Sequence, residues 1–256
     1  MNAVATHPGA EMVVSAAVGV VGLEATYKAV AAGKTLALAN KEVLVAAGAL
    51  VMDAAARSGV DILPVDSEHN AIHQCLRAGR RREIERLTLT GSGGPFLKWS
   101  RARLARATPR QALQHPQWKM GKRITVDSAT LMNKGFEVIE AHWLFGLRPE
   151  QIEVVIHPQA IIHSLIEFVD GSTLAQLARP DMRLPLQYAL TYPDRVPSTN
   201  HRLNVSELGK LEFRPPDEKK FSCLSLARQA LAAGGSLPCV LNAADEVAVS
   251  AFLNRR

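Results

Sequence analysis

Three cysteines in 256 residues, Cys75, Cys223 and Cys239, stand far apart and form no C-x-x-C pair. That spacing excludes a cysteine-built zinc knuckle and a dithiol redox motif, and the odd count fits a reducing compartment. Long apolar runs are missing too. The uncharged stretch Met12 to Leu23 has about 12 residues, against the roughly 20 that a membrane-spanning helix needs. No lysine or arginine precedes Lys28, which argues against the basic start of a secretory signal, and the chain is expected to be soluble and cytoplasmic. Aromatic residues make up only 5% and do not interleave with basic ones. The one basic run, Arg80-Arg81-Arg82, is diluted by Glu83 and Glu85, so it reads as a solvated helix end and nucleic acid is not expected as a partner. No G-x-G-x-x-G follows an apolar run. Gly19-Val20-Val21-Gly22 comes nearest with the wrong spacing, and spacing alone does not point to a dinucleotide. Repeats and low-complexity tracts are absent.

What is present is a core-forming composition, 47% hydrophobic, with 30 basic against 24 acidic residues and hence a net charge of +6. Such a chain can bury a sizeable core and favours anionic partners. Apolar runs alternate with amphipathic stretches over the first ninety residues: Met12 to Ala17 then Gly22 to Ala32, Thr35 to Ala39 then Glu42 to Ser58, Asp61 to Val65 then Glu68 to Arg77, and Arg86 to Thr90. Gly33 and Gly59 sit where helices should end, so the order predicts β-α units of a parallel sheet. Farther on, Ala129 to Phe145 reads as one amphipathic helix. Ile162 to Phe168 and Thr173 to Leu177 flank Asp170-Gly171, a hairpin turn signal. Thr191 to Lys220, with Pro193, Pro197, Pro215 and Pro216, predicts an extended connector. Leu224 to Ala233 and Leu241 to Leu253 then read as two helices around Gly234-Gly235, Ser236 and Pro238.

Ligands of open parallel sheets bind beyond the carboxyl ends of the strands. Three successive strand ends carry polar clusters: Asn40-Lys41-Glu42, Asp66-Ser67-Glu68-His69, and Thr90-Gly91-Ser92-Gly93-Gly94-Pro95. All three are expected on one edge of one sheet. Each also has a plain structural reading, Asn40 and Asp66 as helix N-caps, Glu42 and Glu68 as first-turn acids, the glycines as a turn. Asp66 and Glu68, two apart, can converge on a hard cation such as Mg²⁺ or Mn²⁺. Glu137 is the best third acid, three residues from Lys134 and on its helix face. Glu140 lies on that face as well, as a supporting or a solvated acid. Ser92-Gly93-Gly94, Ser128, Asn133 and Lys134 supply the N–H, hydroxyl, amide and ammonium groups that a phosphate requires. His115 and His163 are plausible substrate contacts or proton carriers, whereas His7, His142 and His201 have no suggestive partners.

Eight strings, LANKE (Leu38 to Glu42), LPVDSEHNAI (Leu63 to Ile72), TGSGGPF (Thr90 to Phe96), HPQW followed by MG (His115 to Gly121), VDSATLMNKGFEVIEAHWLF (Val126 to Phe145), HPQAIIHS (His157 to Ser164), ARPDMRLP (Ala178 to Pro185) and LNAADEVAV (Leu241 to Val249), together resemble the 1-deoxy-D-xylulose 5-phosphate reductoisomerase family. The resemblance runs in order over nearly the whole chain. It implies an NADPH- and divalent-metal-dependent oxidoreductase of non-mevalonate isoprenoid synthesis, a homodimer, which converts deoxyxylulose phosphate to 2-C-methyl-D-erythritol 4-phosphate. It also implies Asp66, Glu68 and Glu137 as metal ligands, and Lys41, Glu68, Glu137 and His115 as catalytic. Ser92, Ser128, Asn133 and Lys134 would hold the phosphate side, Lys41, Ser67 and His115 would touch the sugar, and Trp118 and Met120 would close over it. His163 would line the pocket, and Asn40, Glu42, Met120 and Gly121 would meet NADPH.

The implied fold is α/β: residues 1–62 as the remnant of a doubly wound parallel-sheet NADPH domain, 63–205 as an α+β catalytic domain with a hairpin sheet, and 206–256 as the start of a helical domain. Measured against the family, the Gly-rich nucleotide half and part of the helical domain are expected to be absent, and Asp245 stands where the family usually has Asn. Two other readings remain open: a metal-dependent sugar-phosphate isomerase without reduction, and an inactive piece that associates with a full-length subunit.

Overall fold

The structure, a computed structural model, describes residues 1–118 and 120–256. A short helix α1 (Asn2–Ala5) precedes β1 (Met12–Ser15), α2 (Leu23–Ala31), β2 (Thr35–Leu38), α3 (Glu42–Ser58) and β3 (Ile62–Pro64). The three strands form a parallel sheet in the order β1-β2-β3, with Val13 opposite Leu36 and Leu36 opposite Ile62. These are the expected β-α units. Parallel strands need a crossover, and the apolar faces of α2 and α3 supply it while covering Leu36 and Leu38, both fully buried. β3 straddles the expected boundary at 62/63 and is hydrogen-bonded to β2.

After α4 (Ser67–Cys75) comes β4 (Ile84–Gly91), which does not join that sheet. It lies in a second sheet of order β5-β4-β6-β7, parallel to β5 (Ile152–Ile156) and antiparallel to β6 (Ile162–Phe168), which turns through Asp170-Gly171 into β7 (Thr173–Leu177). This corrects the expectation that all three polar strand ends share one sheet edge. An apolar strand reveals that it will be buried, not which partner buries it, and both partners of β4 lie more than sixty residues downstream. β5 itself was not foreseen.

Two short helices, α5 (Arg101–Leu104) and α6 (Pro109–Ala112), lead to α7 (Lys122–Thr130) and α8 (Met132–Phe145). The single amphipathic helix expected from Ala129 to Phe145 is therefore broken, by Leu131 at φ 62°. A left-handed conformation costs a branched residue roughly 1–2 kcal/mol, offset here by burial of the Leu131 side chain. Nor is α8 amphipathic toward water: Phe136 and Ile139 are buried on one side and Lys134, Glu137 and Glu140 on the other. Its polar face meets the site instead of solvent. Gly48 in α3 allows the closest approach to this helix, for a Cβ there would lie 2.2 Å from the Trp143 ring.

An unforeseen helix α9 (Arg183–Thr191) follows, and residues 192–221 then run as the expected connector, apart from a short turn at Val205–Glu207 and a bridge of Arg214 to Ile156. The chain closes with α10 (Ser222–Ala233) and α11 (Leu237–Leu253), the latter four residues longer at its start than its apolar pattern suggests because Pro238 fits the first turn. α10 packs on α8, where Gly135 faces Ala227. Among the described residues, no helix is long and apolar enough to cross a membrane.

Candidate functional site

The carboxyl ends of β2, β3 and β4, although drawn from two sheets, converge with α7 and α8 on one cavity of about 220 Å³. Lys41 occupies the turn before α3. Asp66 caps α4, its Oδ1 accepting from the Glu68 N–H at 3.2 Å, which is the structural reading of that aspartate. The cap leaves Oδ2 free to meet Lys41 Nζ at 2.6 Å. From α8, Glu137 accepts from Lys41 (3.2 Å), Asn133 (2.6 Å) and Lys134 (2.6 Å), and Lys134 also donates to Glu68 (2.9 Å) and to the Thr90 carbonyl (2.7 Å). Lys41 donates in addition to Asn133 Oδ1 at 2.7 Å, and Ser67 to Glu68 at 2.7 Å.

Burial opposes charge on both lysines, but the surrounding acids outweigh it. Asp66 and Glu137 hold Lys41 well above the ordinary lysine range, and Glu137 and Glu68 raise Lys134. Asp66 is burdened by burial yet drawn well below the usual carboxylate range by Lys41 and His69. Glu137, the deepest at 1% exposure, is pushed up by burial and by Glu68. Asp66, Glu68 and Glu137 each place an oxygen within 4.8 Å of the others. Three carboxylate oxygens suit a hard dication. Two ammoniums now share these oxygens, so a dication would take over contacts that the lysines hold and turn their N–H groups toward an anionic ligand.

On the opposite wall His115 Nδ1 accepts from the Trp118 N–H at 2.9 Å and the Gln117 N–H at 3.2 Å, which assigns the ring proton to Nε2, 3.2 Å from Ser92 Oγ. Burial and the nearby Lys134 lower the His115 pKa, in keeping with a neutral ring. Ser92 Oγ accepts from the Gly94 N–H, and Ser128, Trp118, Met120 and His163 line the same cavity. His163 is buried, and that burial lowers its pKa. Every residue expected at the substrate or at the metal borders this one space.

The four residues expected at NADPH are placed less evenly. Met120 lines the cavity and Gly121 is an exposed cap of α7. Asn40 is buried, its amide donating to the Ala17 and Gly19 carbonyls and its Oδ1 accepting from the Glu42 N–H, while Lys41 and not Asn40 holds the cap position of α3. Glu42 lies 3.6 Å from Arg123. A Cβ on Gly19, in the turn Gly19 to Gly22, would meet the side-chain ends of Glu246 at 2.9 Å and Arg123 at 3.2 Å. The residues lining the cavity thus fit a divalent cation and an anion.

Two groupings were not read from the sequence, although it offered Glu140 as a supporting or a solvated acid and His69 within a polar cluster. His69 and Glu140 are both fully buried behind Asp66, with His69 Nδ1 3.2 Å from Glu140; this overturns the option of a solvated Glu140. Burial opposes charge on His69, but Glu140 and Asp66 raise it to about 9, while burial pushes Glu140 to about 7. A histidine next to a cluster acid, and the helix face that Glu140 shares with Glu137, were the available signals.

Arg123 is the other, joining α7 to α11 through Asn242 (2.8 Å), Asp245 (3.1 Å) and Glu246 (2.6 Å), with Asp127 at 3.8 Å. Burial first, then Asp245, pushes Asp127 up to about 8 against the pull of Arg123. An unfolded aspartate titrates near ~3.9. Between those values the native state holds a proton that the unfolded chain has lost, so this contribution to stability falls as pH rises and is gone above about 8. Asp127→Asn makes the neutral form permanent. It is expected to raise the melting temperature at pH 9 by about 4–8 °C, for roughly 2 kcal/mol, and to leave it nearly unchanged near pH 4. Equal melting at both pH values, followed by circular dichroism, would place the proton elsewhere.

A parallel βα layer and a mixed sheet that share a pocket of three acids and two lysines define an α/β protein suited to a hard cation together with an anionic ligand. Comparison with known sequences narrows the class: residues 1–48 match the family described as 1-deoxy-D-xylulose 5-phosphate reductoisomerase, 62–145 its C-terminal domain, and 177–256 the DXP reductoisomerase C-terminal domain. The chain belongs to the 1-deoxy-D-xylulose 5-phosphate reductoisomerase family. It is 59% identical over 249 residues to the reductoisomerase of Solibacter usitatus, covering 97% of this chain and 63% of that protein. It is 57% identical over 254 residues to reductoisomerase 2 of Bacillus cereus, covering 99% and 67%. Among solved structures, a DOX-P reductoisomerase in complex with NADPH, fosmidomycin and magnesium superposes with a TM-score of 0.95 at 48% identity, covering 99% of this chain and 64% of that one. The Zymomonas mobilis enzyme in complex with NADPH gives 0.92 at 46%, covering 98% and 65%. The chain therefore spans about two thirds of the length of these relatives.

Proposed function

We propose that this protein rearranges and reduces 1-deoxy-D-xylulose 5-phosphate to 2-C-methyl-D-erythritol 4-phosphate, and that these 256 residues supply its cation and sugar-phosphate machinery. The observation that carries the reading is the convergence of Asp66, Glu68 and Glu137 with Lys41 and Lys134 beside the Ser92–Gly94 turn. Asp66, Glu68 and Glu137 would hold Mg²⁺ or Mn²⁺, which when bound supplies Lewis acidity at the substrate's carbonyl and neighbouring hydroxyl oxygens. Lys41, placed between Asp66 and Glu137, donates hydrogen bonds where oxygen charge builds as the skeleton rearranges. Ser92, Ser128, Asn133 and Lys134 take the phosphate end, and His115 donates through Nε2 from the opposite wall. Trp118 and Met120 exclude water. NADPH, when bound, would supply the hydride for the reduction, and Asn40, Glu42, Met120 and Gly121 are the residues of this chain that would meet it. A cytoplasmic homodimer completes the proposal.

Calorimetric titration of the chain with 1-deoxy-D-xylulose 5-phosphate, with and without Mg²⁺, tests the reading. Heat of binding that depends on Mg²⁺ is expected. A folded chain that gives none under either condition would overturn it.

A further inference from the structure

His69 and Glu140 lie at 0% exposure on the far side of Asp66 from the cavity. His69 Nε2 lies 2.9 Å from the main-chain carbonyl of Glu137, which can only accept, so that nitrogen carries a hydrogen. Its Nδ1 faces two carboxylates, Glu140 Oε2 at 3.2 Å and Asp66 Oδ1 at 3.7 Å. One imidazole thereby spans the backbone of one expected metal ligand and the side chain of another. Neither oxygen of Glu140 nor His69 Nδ1 has a hydrogen-bond partner of good geometry among the described residues, so their approach to 3.2 Å is the main compensation that each finds. As a filler of the core this is a poor choice, because an apolar side chain of the same volume would cost less desolvation. Both carboxylates face this one nitrogen, and Glu140 is the nearer.

Resting on the cation-site reading above, we propose that Glu140 is a positioning residue. It orients the His69 ring and draws its Nδ1–H away from Asp66, which leaves Asp66 available to a divalent cation. Through the Glu137 carbonyl the same ring fixes the height of the third ligand on α8. Partners behind a metal ligand typically alter affinity by about 10- to 100-fold.

The test is Mn²⁺ binding to the 256-residue chain, read from the free-ion electron paramagnetic resonance signal, with melting followed in parallel by circular dichroism. Glu140→Leu keeps the volume and removes the acceptor. It is expected to melt at or above the parent temperature while its Mn²⁺ Kd rises about 10- to 100-fold. Glu140→Gln retains an acceptor oxygen and should recover most of that loss. Ile139→Ala, one position away in the core, lowers stability and should leave Mn²⁺ affinity of the folded chain unchanged. Parent affinity in Glu140→Leu, or an equal loss in Ile139→Ala, would overturn the proposal. Should the Leu variant not fold, Glu140→Ala takes its place with the same expectation. A parent chain that binds no Mn²⁺ would remove the cation-site reading itself, and this inference with it.

Discussion

Glu137→Gln is expected to cost the chain roughly 100-fold or more in Mg²⁺ affinity, and with it the cation-dependent binding of sugar phosphate. The substitution keeps the shape of the side chain and its contact with Asn133, so what it removes is one unit of negative charge from a site 1% exposed. Two unit charges 4 Å apart at an effective dielectric of 20 interact by about 4 kcal/mol, and a dication doubles the pull. Part of this is returned, because the cation displaces Lys41 and Lys134 less easily from a full carboxylate set. A net loss of about 3 kcal/mol corresponds to that 100-fold. The fold should survive, since Lys41 keeps Asp66 at 2.6 Å and Lys134 keeps Glu68 at 2.9 Å and the Thr90 carbonyl at 2.7 Å. Calorimetry with Mg²⁺, beside a melting curve, separates the two effects. Parent-like Mg²⁺ affinity would remove Glu137 from the ligand set.

Gly94→Ala carries the second large effect, on stability and on the anion wall together. Gly94 has φ 67°, and a Cβ there would stand 2.6 Å from the Ser128 carbonyl oxygen and 3.1 Å from the Ala129 Cα. Both are backbone atoms of α7, so nothing yields by a rotamer change. Strain of the left-handed conformation adds roughly 1–2 kcal/mol and the overlap another 1–3. At about 3 kcal/mol in total the melting temperature should drop by about 6–12 °C. Because the clash separates the Ser92 turn from Ser128, the two hydroxyl donors expected at the phosphate move apart, and phosphate-ligand affinity falls as well. Gly171→Ala is the control: its φ is 82°, but nothing lies within 4 Å of the added carbon. It should show the conformational cost alone, near 1 kcal/mol. Equal losses in the two variants would mean that the α7 contact contributes little.

Asp66 as an N-cap and Asp66 as a ligand prove compatible, since one oxygen serves the Glu68 N–H and the other faces the cavity. Asn40, read as an N-cap, instead anchors the β1–α2 turn through its amide, and Lys41 stands at the cap of α3. The difference could not be read locally: it depends on whether carbonyls from the β1–α2 turn reach the amide, which they do across more than twenty residues of chain.

By itself the sequence determined the βα alternation, the hairpin at Asp170-Gly171, the terminal helix pair and the polar clusters at strand ends, because these follow from periodicity and turn chemistry over a few residues. The eight ordered strings carried the family. Only the tertiary structure decided that β4 pairs with β5 and β6, that Leu131 divides α7 from α8, and that the polar face of α8 turns inward. Each rests on contacts between distant segments, whose energies are set by which surfaces remain unburied once the local elements have formed. The same holds for His69 and Glu140. Their pairing spans 71 positions and leaves no trace in spacing, yet it stands directly behind the acid that the spacing picks out first.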